Sequence, residues 1–486
     1  MKPRRARVPG CGMTRRSFLA DTGMGFTGLA LGAMLFRDGV AQAAPAGKPA
    51  RAPKAKSVIW IFLCGGVSHV ESFDVKPELN KYAGKSIEET PYRGVLDPKK
   101  VEANIVGGNP AHGNRKTIMP LQTGYRQYGE CGLPVGDWFR HTGECADDLA
   151  VVRSLWTIHN DHGAQLTWHT GRHPREGGIP TIGAWISYGL GSLNENLPEY
   201  VVLGTPTGDC CGGTWTFGGG YLGPEYSGVR LATDPKNPLP FISPASPEVL
   251  DEEQAAEFSL LGRLNRLAGI DYPDDANLRA RIKAYELAFL MQKAVPETVR
   301  LDQESEETKQ LYGLDQPSTR AFGEQCLVAR RLVERGVRYV QLFHGGGGGG
   351  EWDAHSEIKN NHTRLAEQVD KPISGLLKDL KRRGMLDDTL VVWGTEFGRS
   401  PGAEGTGRDH HPQGFCAWLA GAGVKGGVTH GATDELGFHA VQDRHYVTDI
   451  HATVLHLLGL DPHAMEIPGR KRLEMDIGKP ITQILA

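Results

Sequence analysis

Between Thr389 and Pro412 the chain reads TLVVWGTEFGRSPGAEGTGRDHHP, an apolar run that ends on a glycine and then releases Glu396, Arg399, Asp409, His410 and His411. Carboxylates and imidazoles at that density are the donor types that hold a divalent cation. The competing reading is a polar surface loop whose histidines bond water or backbone. Three further stretches repeat the pattern. His69 and Asp74 follow Ser57–Leu63, His159, Asp161 and His162 follow the apolar run 149–152, and Asp353 and His355 follow Arg338–Phe343 after His344 and six glycines. Ligands in open α/β sheets bind beyond the carboxyl ends of strands, so clusters released from several strand ends are expected to converge on one centre. A cation held there brings water into a nucleophilic form near neutral pH. Zinc, manganese and calcium are not distinguished by these residue types alone.

Each remaining candidate has a plainer role beside it. The glycines at 345–350 are not followed by Gly-Lys-Ser/Thr, which removes a phosphate-cradling loop and leaves a mobile flap or a close backbone approach. Arg172 and Arg399 are suited to gripping an anion bidentately, or to pairing with a neighbouring carboxylate. Ser68 and Thr395 offer hydroxyls for covalent attack, and also fit turns. His451 is a candidate outer partner of a metal, with His439 and His445 as rim groups. Trp168 and Trp352 read as packing. Cys210-Cys211 suggests a redox pair or metal ligands, although adjacent cysteines bridge only with strain.

The elements that must position these groups are legible as periodicity. Apolar runs at 57–63, 149–152, 200–203, 338–343, 389–393 and 415–419 read as buried strands. Helical spacing marks 260–267, 278–291, 321–333, 365–383 and 448–458. Their alternation predicts an α/β fold, a three-layer α/β/α arrangement with a mostly parallel central sheet. The expected organisation is one domain over 56–486, carrying a helical insertion at 246–335 and a Gly/Pro-rich lid or rim at 205–241.

Composition narrows the function. With 54 basic against 57 acidic residues, phosphate neutralisation does not drive binding, so no nucleic-acid partner is expected. The start carries Arg15-Arg16 before Phe18-Leu19, a weakly apolar run to Phe36, and Ala41-Gln42-Ala43. It resembles a twin-arginine export signal over 1–43, followed by a linker over 44–55. That implies the twin-arginine export machinery as a partner and a periplasmic or extracellular address. The alternative is a membrane anchor, but Asp21, the glycines and Arg37 leave the apolar run too short, so no stable membrane span is expected after cleavage. Cleavage would leave seven of the eight cysteines, read mostly as buried thiols.

Gly65-Gly66-Val67-Ser68-His69 with Phe73-Asp74-Val75-Lys76-Pro77, the segment from Arg153-Ser154 to Thr170-Gly171-Arg172, Gly394-Thr395-Glu396-Phe397-Gly398-Arg399 and Asp409-His410-His411-Pro412 resemble the DUF1501 family of exported proteins. Their order is similar to that of the alkaline phosphatase-like superfamily, which includes sulfatases and metal-dependent phosphomutases. The resemblance implies an alkaline phosphatase-like fold and divalent metal held among His69, Asp74, Asp353, His355, Glu396, Asp409, His410 and His411. Asp161, read as a metal ligand ahead of a nucleophile, His162 beside it, which would bind metal or polarise water, and Arg172 and Arg399 as the anion grip are the expected catalytic residues. Several positions depart from the superfamily: Glu396 stands in place of its Asp, and Asp353 and His355 are more closely spaced than its usual pair. Phe397 stands where it has a metal-binding histidine, and Asp161, eleven residues before Arg172, stands at the sulfatase nucleophile. The implied activity is exported, metal-dependent hydrolysis of phosphate or sulfate esters, including an anionic ester carried on a polysaccharide, through metal-activated water or carboxylate-assisted attack. The alternative is a binding or assembly protein on a scaffold that has lost turnover.

Overall fold

Ser57–Leu63 is apolar on both faces because both faces are covered. Val58, Trp60 and Phe62 point into one buried cluster, and Ile59, Ile61 and Leu63 into another. Successive side chains of a strand point to opposite sides, so a strand between two helical layers must be apolar throughout. The computed structural model describes residues 52–97, 115–239, 251–271, 276–462, 465 and 478–486. The export signal at 1–43, most of the linker and, within the helical insertion, residues 246–250 and 272–275 lie outside the described residues.

Among the described residues, nine strands form the main sheet. In chain order they are β1 (Ser57–Leu63), β2 (Leu149–Trp156), β3 (Tyr200–Leu203), β4 (Val229–Leu231), β5 (Tyr339–His344), β6 (Thr389–Gly394), β7 (Phe415–Ala420), β8 (Val428–His430) and β9 (His445–Tyr446). The spatial order is β8-β2-β7-β6-β1-β5-β3-β4, and β9 also pairs with β2. Every pairing is parallel except those of β7, which is antiparallel to β6 and β2. The fold is therefore α/β with a mostly parallel sheet.

The main helices are α1 (Ala164–Thr170), α2 (Ile182–Leu190), α3 (Asp251–Asp271), α4 (Ala276–Val299), α5 (Pro317–Glu334), α6 (Ile358–Arg382) and α7 (Val447–Leu457). Trp168 of α1, Ile182 and Ile186 of α2, and Ile450 and Val454 of α7 cover the Trp60 side. On the other side, Leu365, Val369, Ile373, Leu376 and Leu380 form the buried stripe of α6, stepping by four and three residues, beside Phe322 and Leu327 of α5. Within the stretch read as an insertion, Met291 and Val295 of α4 join this same core with α5, whereas Leu260, Leu261 and Leu264 of α3 are more than half exposed. Among the described residues, no helix is long and apolar enough to cross a membrane.

Candidate metal centre

Register puts the carboxyl ends of three central strands level, with Leu63 of β1 beside His344 of β5, and Phe62 beside Gly394 of β6. The chains leaving them must then pass close together, and glycine permits it. Gly65, at φ +120°, lies where a Cβ would come within 2.5 Å of the Asp353 backbone nitrogen. Gly350, at φ +117°, would press a Cβ to 2.4 Å from the Cys64 carbonyl. Of the two roles open to the glycine run, close backbone approach is the one seen here.

Asp353 is the hub. Its Oδ1 receives Arg399 Nη2 at 2.7 Å and lies 3.1 Å from both His355 Nε2 and His410 Nε2. Its Oδ2 lies 3.0 Å from His162 Nε2, which is buried and has no hydrogen bond of good geometry. His355 Nε2 and His410 Nε2 are themselves 3.1 Å apart. Three imidazoles from three separate loops thus turn the same nitrogen toward one carboxylate.

The far sides of the rings explain that orientation. His162 Nδ1 is 3.1 Å from Glu396 Oε1, His355 Nδ1 is 2.5 Å from Glu404 Oε2, and His410 Nδ1 is 2.8 Å from the Asn160 carbonyl. Each partner is an acceptor, so each Nδ1 carries a proton, and each ring, once neutral, presents its Nε2 lone pair inward. Three inward lone pairs around a carboxylate form a cation's donor set, with the outer acceptors that metal-bound histidines use. His162, Asp353 and His410 are mutually close enough to share an ion, as are His355, Asp409 and His410. Both sets use His410.

Electrostatics show what the centre does without a cation. Burial pulls His162 down, but Asp353 and Glu396 more than reverse it and raise it to about 9. The bond to Asp353 raises His355 too. Burial, with the Arg399 and His162 charges, pushes His410 down to about 3. Burial works against ionisation of Asp353, yet the three imidazoles and Arg399 hold its carboxyl well below the usual carboxylate range. Protons on His162 and His355 thus occupy the atoms a cation would take, and the two compete.

The other sequence-derived residues take different places. Glu396 is fully buried and accepts from the Gly65 N–H at 2.9 Å and Thr395 Oγ1 at 3.0 Å, so it braces His162 rather than facing Asp353. Asp409 accepts from the His410 N–H at 2.8 Å and from Arg115 Nε at 2.8 Å. Arg399, read as an anion grip, is completely buried and donates to the carbonyls of Gly65, Gly66 and Arg408 as well as to Asp353. It has no nitrogen left for a substrate and instead fixes the hub. Asp161 spends Oδ1 on the adjacent His162 N–H at 2.7 Å, at the entry to α1. Arg172 is half-buried just past α1, and no ion pair joins its guanidinium to Asp353 or Glu396.

His69, Asp74 and His411 gather in a separate buried cluster. The His69 and His411 rings stack at 6.0 Å, and Asp74 pairs with Lys76 at 3.0 Å and with the Thr433 hydroxyl. None of the three belongs to either ion-capable group. For His411 the reason is strand parity. The hairpin of Gly398–Glu404 with Gly407–His411 sets His410 opposite Arg399 and His411 opposite Gly398, and consecutive side chains face opposite ways. Sequence reading also missed Glu404, Arg115 and the Asn160 carbonyl. Gly405, at φ +60° between the hairpin strands, was the available signal for Glu404.

Fold and centre together define an α/β protein with a cation-competent His/Asp site at the carboxyl edge of its sheet. Residues 55–485 match the DUF1501 family, described as a protein of unknown function, and the chain belongs to that family. No curated protein matches the chain. Among solved structures, it is similar to a sulfatase from Pseudoalteromonas sp. at 13% identity, covering 90% of this chain and 72% of that one, with TM-score 0.34. A phosphonate monoester hydrolase of Agrobacterium radiobacter matches at 14% identity over 89% and 77%, with TM-score 0.33. The soluble domain of a lipooligosaccharide phosphoethanolamine transferase from Neisseria meningitidis matches at 10% over 85% and 90%, with TM-score 0.32. At such low identity and TM-score these likenesses transfer neither activity nor ligand.

Proposed function

We propose that this chain is an exported, metal-dependent hydrolase of phosphate or sulfate esters, its cation held by His162, Asp353, His355 and His410. The observation that carries the reading is the set of three Nδ1 atoms tied to Glu396, Glu404 and the Asn160 carbonyl, which leaves three Nε2 lone pairs converging on Asp353. A divalent cation there supplies Lewis acidity toward an anionic ester and the means of making water nucleophilic near neutral pH.

The chain's own groups support water as the nucleophile. Thr395 Oγ1 is engaged by the Leu63 carbonyl at 3.0 Å and by Glu396. Ser68 Oγ donates to Glu71 Oε2 at 2.5 Å. Cys64 is fully buried, and burial, with the Glu396 and Glu351 charges, pushes its thiol well up, so it stays protonated. Arg399 ties down Asp353 through Oδ1, and Glu396 holds His162. Periplasmic or extracellular location, arrival through the twin-arginine machinery and a polysaccharide-borne ester remain part of the proposal.

The test is elemental analysis of the purified mature protein followed by aryl phosphate and aryl sulfate hydrolysis, wild type against His410→Ala. Bound divalent metal and ester turnover, both lost in the variant, are expected. Absence of metal from protein purified without chelator and then offered zinc, manganese or calcium would sink the reading. Metal without turnover of any ester would instead favour a binding protein, a reading supported by Arg399 being spent entirely inside the protein.

A further inference from the structure

A second pair of imidazoles lies well away in sequence from the Asp353 loops. His430 ends β8 and His445 begins β9, and both strands lie alongside β2, with His430 level with Val152 and His445 level with Leu155. The chain between them turns out through Gly431 and returns through Asp443, which adopts a left-handed φ of +45°. The Asp443 carbonyl accepts the Ser154 hydroxyl of β2 at 2.5 Å, which fixes the return. Two short strands that are separate in sequence are thereby held end to end.

Their rings meet tip to tip. His430 Nε2 and His445 Nε2 are 2.9 Å apart, with ring centroids at 5.0 Å and planes at 41°. On the far side, His445 Nδ1 lies 2.7 Å from Asp449 Oδ2 in the first turn of α7. The other Asp449 oxygen accepts the Lys479 N–H at 2.8 Å. Asp449 therefore acts as an acceptor, the His445 proton sits on Nδ1, and the His445 Nε2 lone pair points at His430. A carboxylate behind an imidazole is the arrangement that orients metal-binding histidines. Two nitrogens at about 2.0–2.1 Å from one tetrahedral ion would be roughly 3.3 Å apart, so binding needs the pair to open by a few tenths of an ångström, the rings to tilt until their lone pairs converge, and the His430 proton to pass from Nε2 to Nδ1. With 14% of its side chain exposed, His445 leaves the pair reachable from solvent.

We propose that His430 and His445 form a second site for a borderline divalent transition-metal ion, of the zinc and copper(II) class, oriented by Asp449 and completed by water. Imidazole pairs favour such ions over magnesium or calcium, which take oxygen donors. An ion here would clip β8 to β9 beside β2. The site shares no residue with the Asp353 centre and stands whether or not that centre turns over esters.

The experiment is a copper(II) titration of chelator-stripped mature protein, followed by electron paramagnetic resonance, on wild type, His410→Ala, His430→Ala, His445→Ala, Asp449→Asn and His430→Gln. His430→Gln keeps a hydrogen-bonding side chain opposite His445 and guards against a loss caused by unfolding, which circular dichroism checks. Expected are one equivalent fewer in His430→Ala, His445→Ala and His430→Gln than in wild type, and a roughly 10–100-fold weaker site in Asp449→Asn. His410→Ala should keep an equivalent with a two-nitrogen signature. Wild-type stoichiometry in folded His430→Gln and His445→Ala would overturn the proposal, leaving a shared proton between the two rings. A lost equivalent in His410→Ala alone would do the same while sparing the first centre.

Discussion

His410 and His411 are sequence neighbours that look in opposite directions, and the two sides of their strand differ in one decisive respect. On the His410 side, each ring is anchored through Nδ1, and its Nε2, bare once the ring is neutral, faces Asp353. On the His411 side, Nε2 donates to the Phe438 carbonyl, and His69 Nε2 donates to the Gly437 carbonyl at 2.7 Å. Those Nε2 atoms carry protons and cannot ligate. Both sides are buried and rich in histidine, so neither property makes a metal site. The acceptor behind the ring decides, because it sets which nitrogen is bare.

The largest way to break this contrast is to remove ligands from one side only. His410→Ala or Asp353→Asn is expected to abolish ester hydrolysis and to lower metal affinity by more than the roughly 10–100-fold typical of losing an outer partner. His411→Ala should leave metal content unchanged and cost roughly 2 kcal/mol of stability through a lost buried hydrogen bond and packing. Metal content by mass spectrometry and the thermal midpoint separate the two. Equal metal loss from both variants would erase the distinction. Trimming the acceptors comes next in size: Glu404→Gln and Glu396→Gln should each weaken metal binding roughly 10–100-fold without emptying the site, as metal titration would show.

Acid gives a smaller but graded effect, with different causes on the two sides. His162 without metal is raised to about 9, and His355 is also raised, so cation binding must displace protons through the neutral range. Affinity should climb by about tenfold per pH unit for each proton displaced, levelling off above about 9. Calorimetry in buffers of different ionisation enthalpy reads the released protons, and an affinity indifferent to pH would contradict the assignment. On the other side, burial lowers His69, and burial with the His69 charge lowers His411 well below the usual imidazole value. A histidine lowered in the fold binds fewer protons there than in the unfolded chain. Its stabilising effect is full above about pH 6.5 and is lost as pH falls toward the folded value. Urea midpoints measured with chelator at pH 7.5 and 5.5 should fall less in His411→Phe than in wild type.

The sheet was legible because its central strands are apolar on both faces and its polar clusters follow strand ends. The joint between Glu396, Asp353 and His410 followed from that logic, since level strand ends bring their loops together. What could not be read was parity. Gly398–Glu404, rich in Gly, Ser and Pro, carries no strand signature, so nothing in His410-His411 told which ring turned inward. The same blindness hid Glu404 and made Arg399 look available, although the hairpin buries it among carbonyls. Arg115 follows a stretch without periodicity, and a backbone carbonyl such as that of Asn160 has no sequence mark at all.

The smallest expected effect is also the sharpest test of how the centre works. Asp161 stands at the position implied for a nucleophile, yet its Oδ1 is held by the neighbouring His162 N–H, and its backbone carbonyl accepts from Ala164 at the start of α1. An acid there suits the positive end of a helix, an effect worth about 0.3–1 kcal/mol. Asparagine keeps an oxygen to accept the same bond while removing the charge and any capacity for covalent attack. Asp161→Asn should therefore lower stability by less than about 1 kcal/mol and change ester turnover only a few-fold, with metal content untouched. If metal stays bound and turnover vanishes, the attacking group is this carboxylate rather than water. The His410 side would then be a clamp for the substrate, with the covalent chemistry at the residue before His162, at the entry to α1.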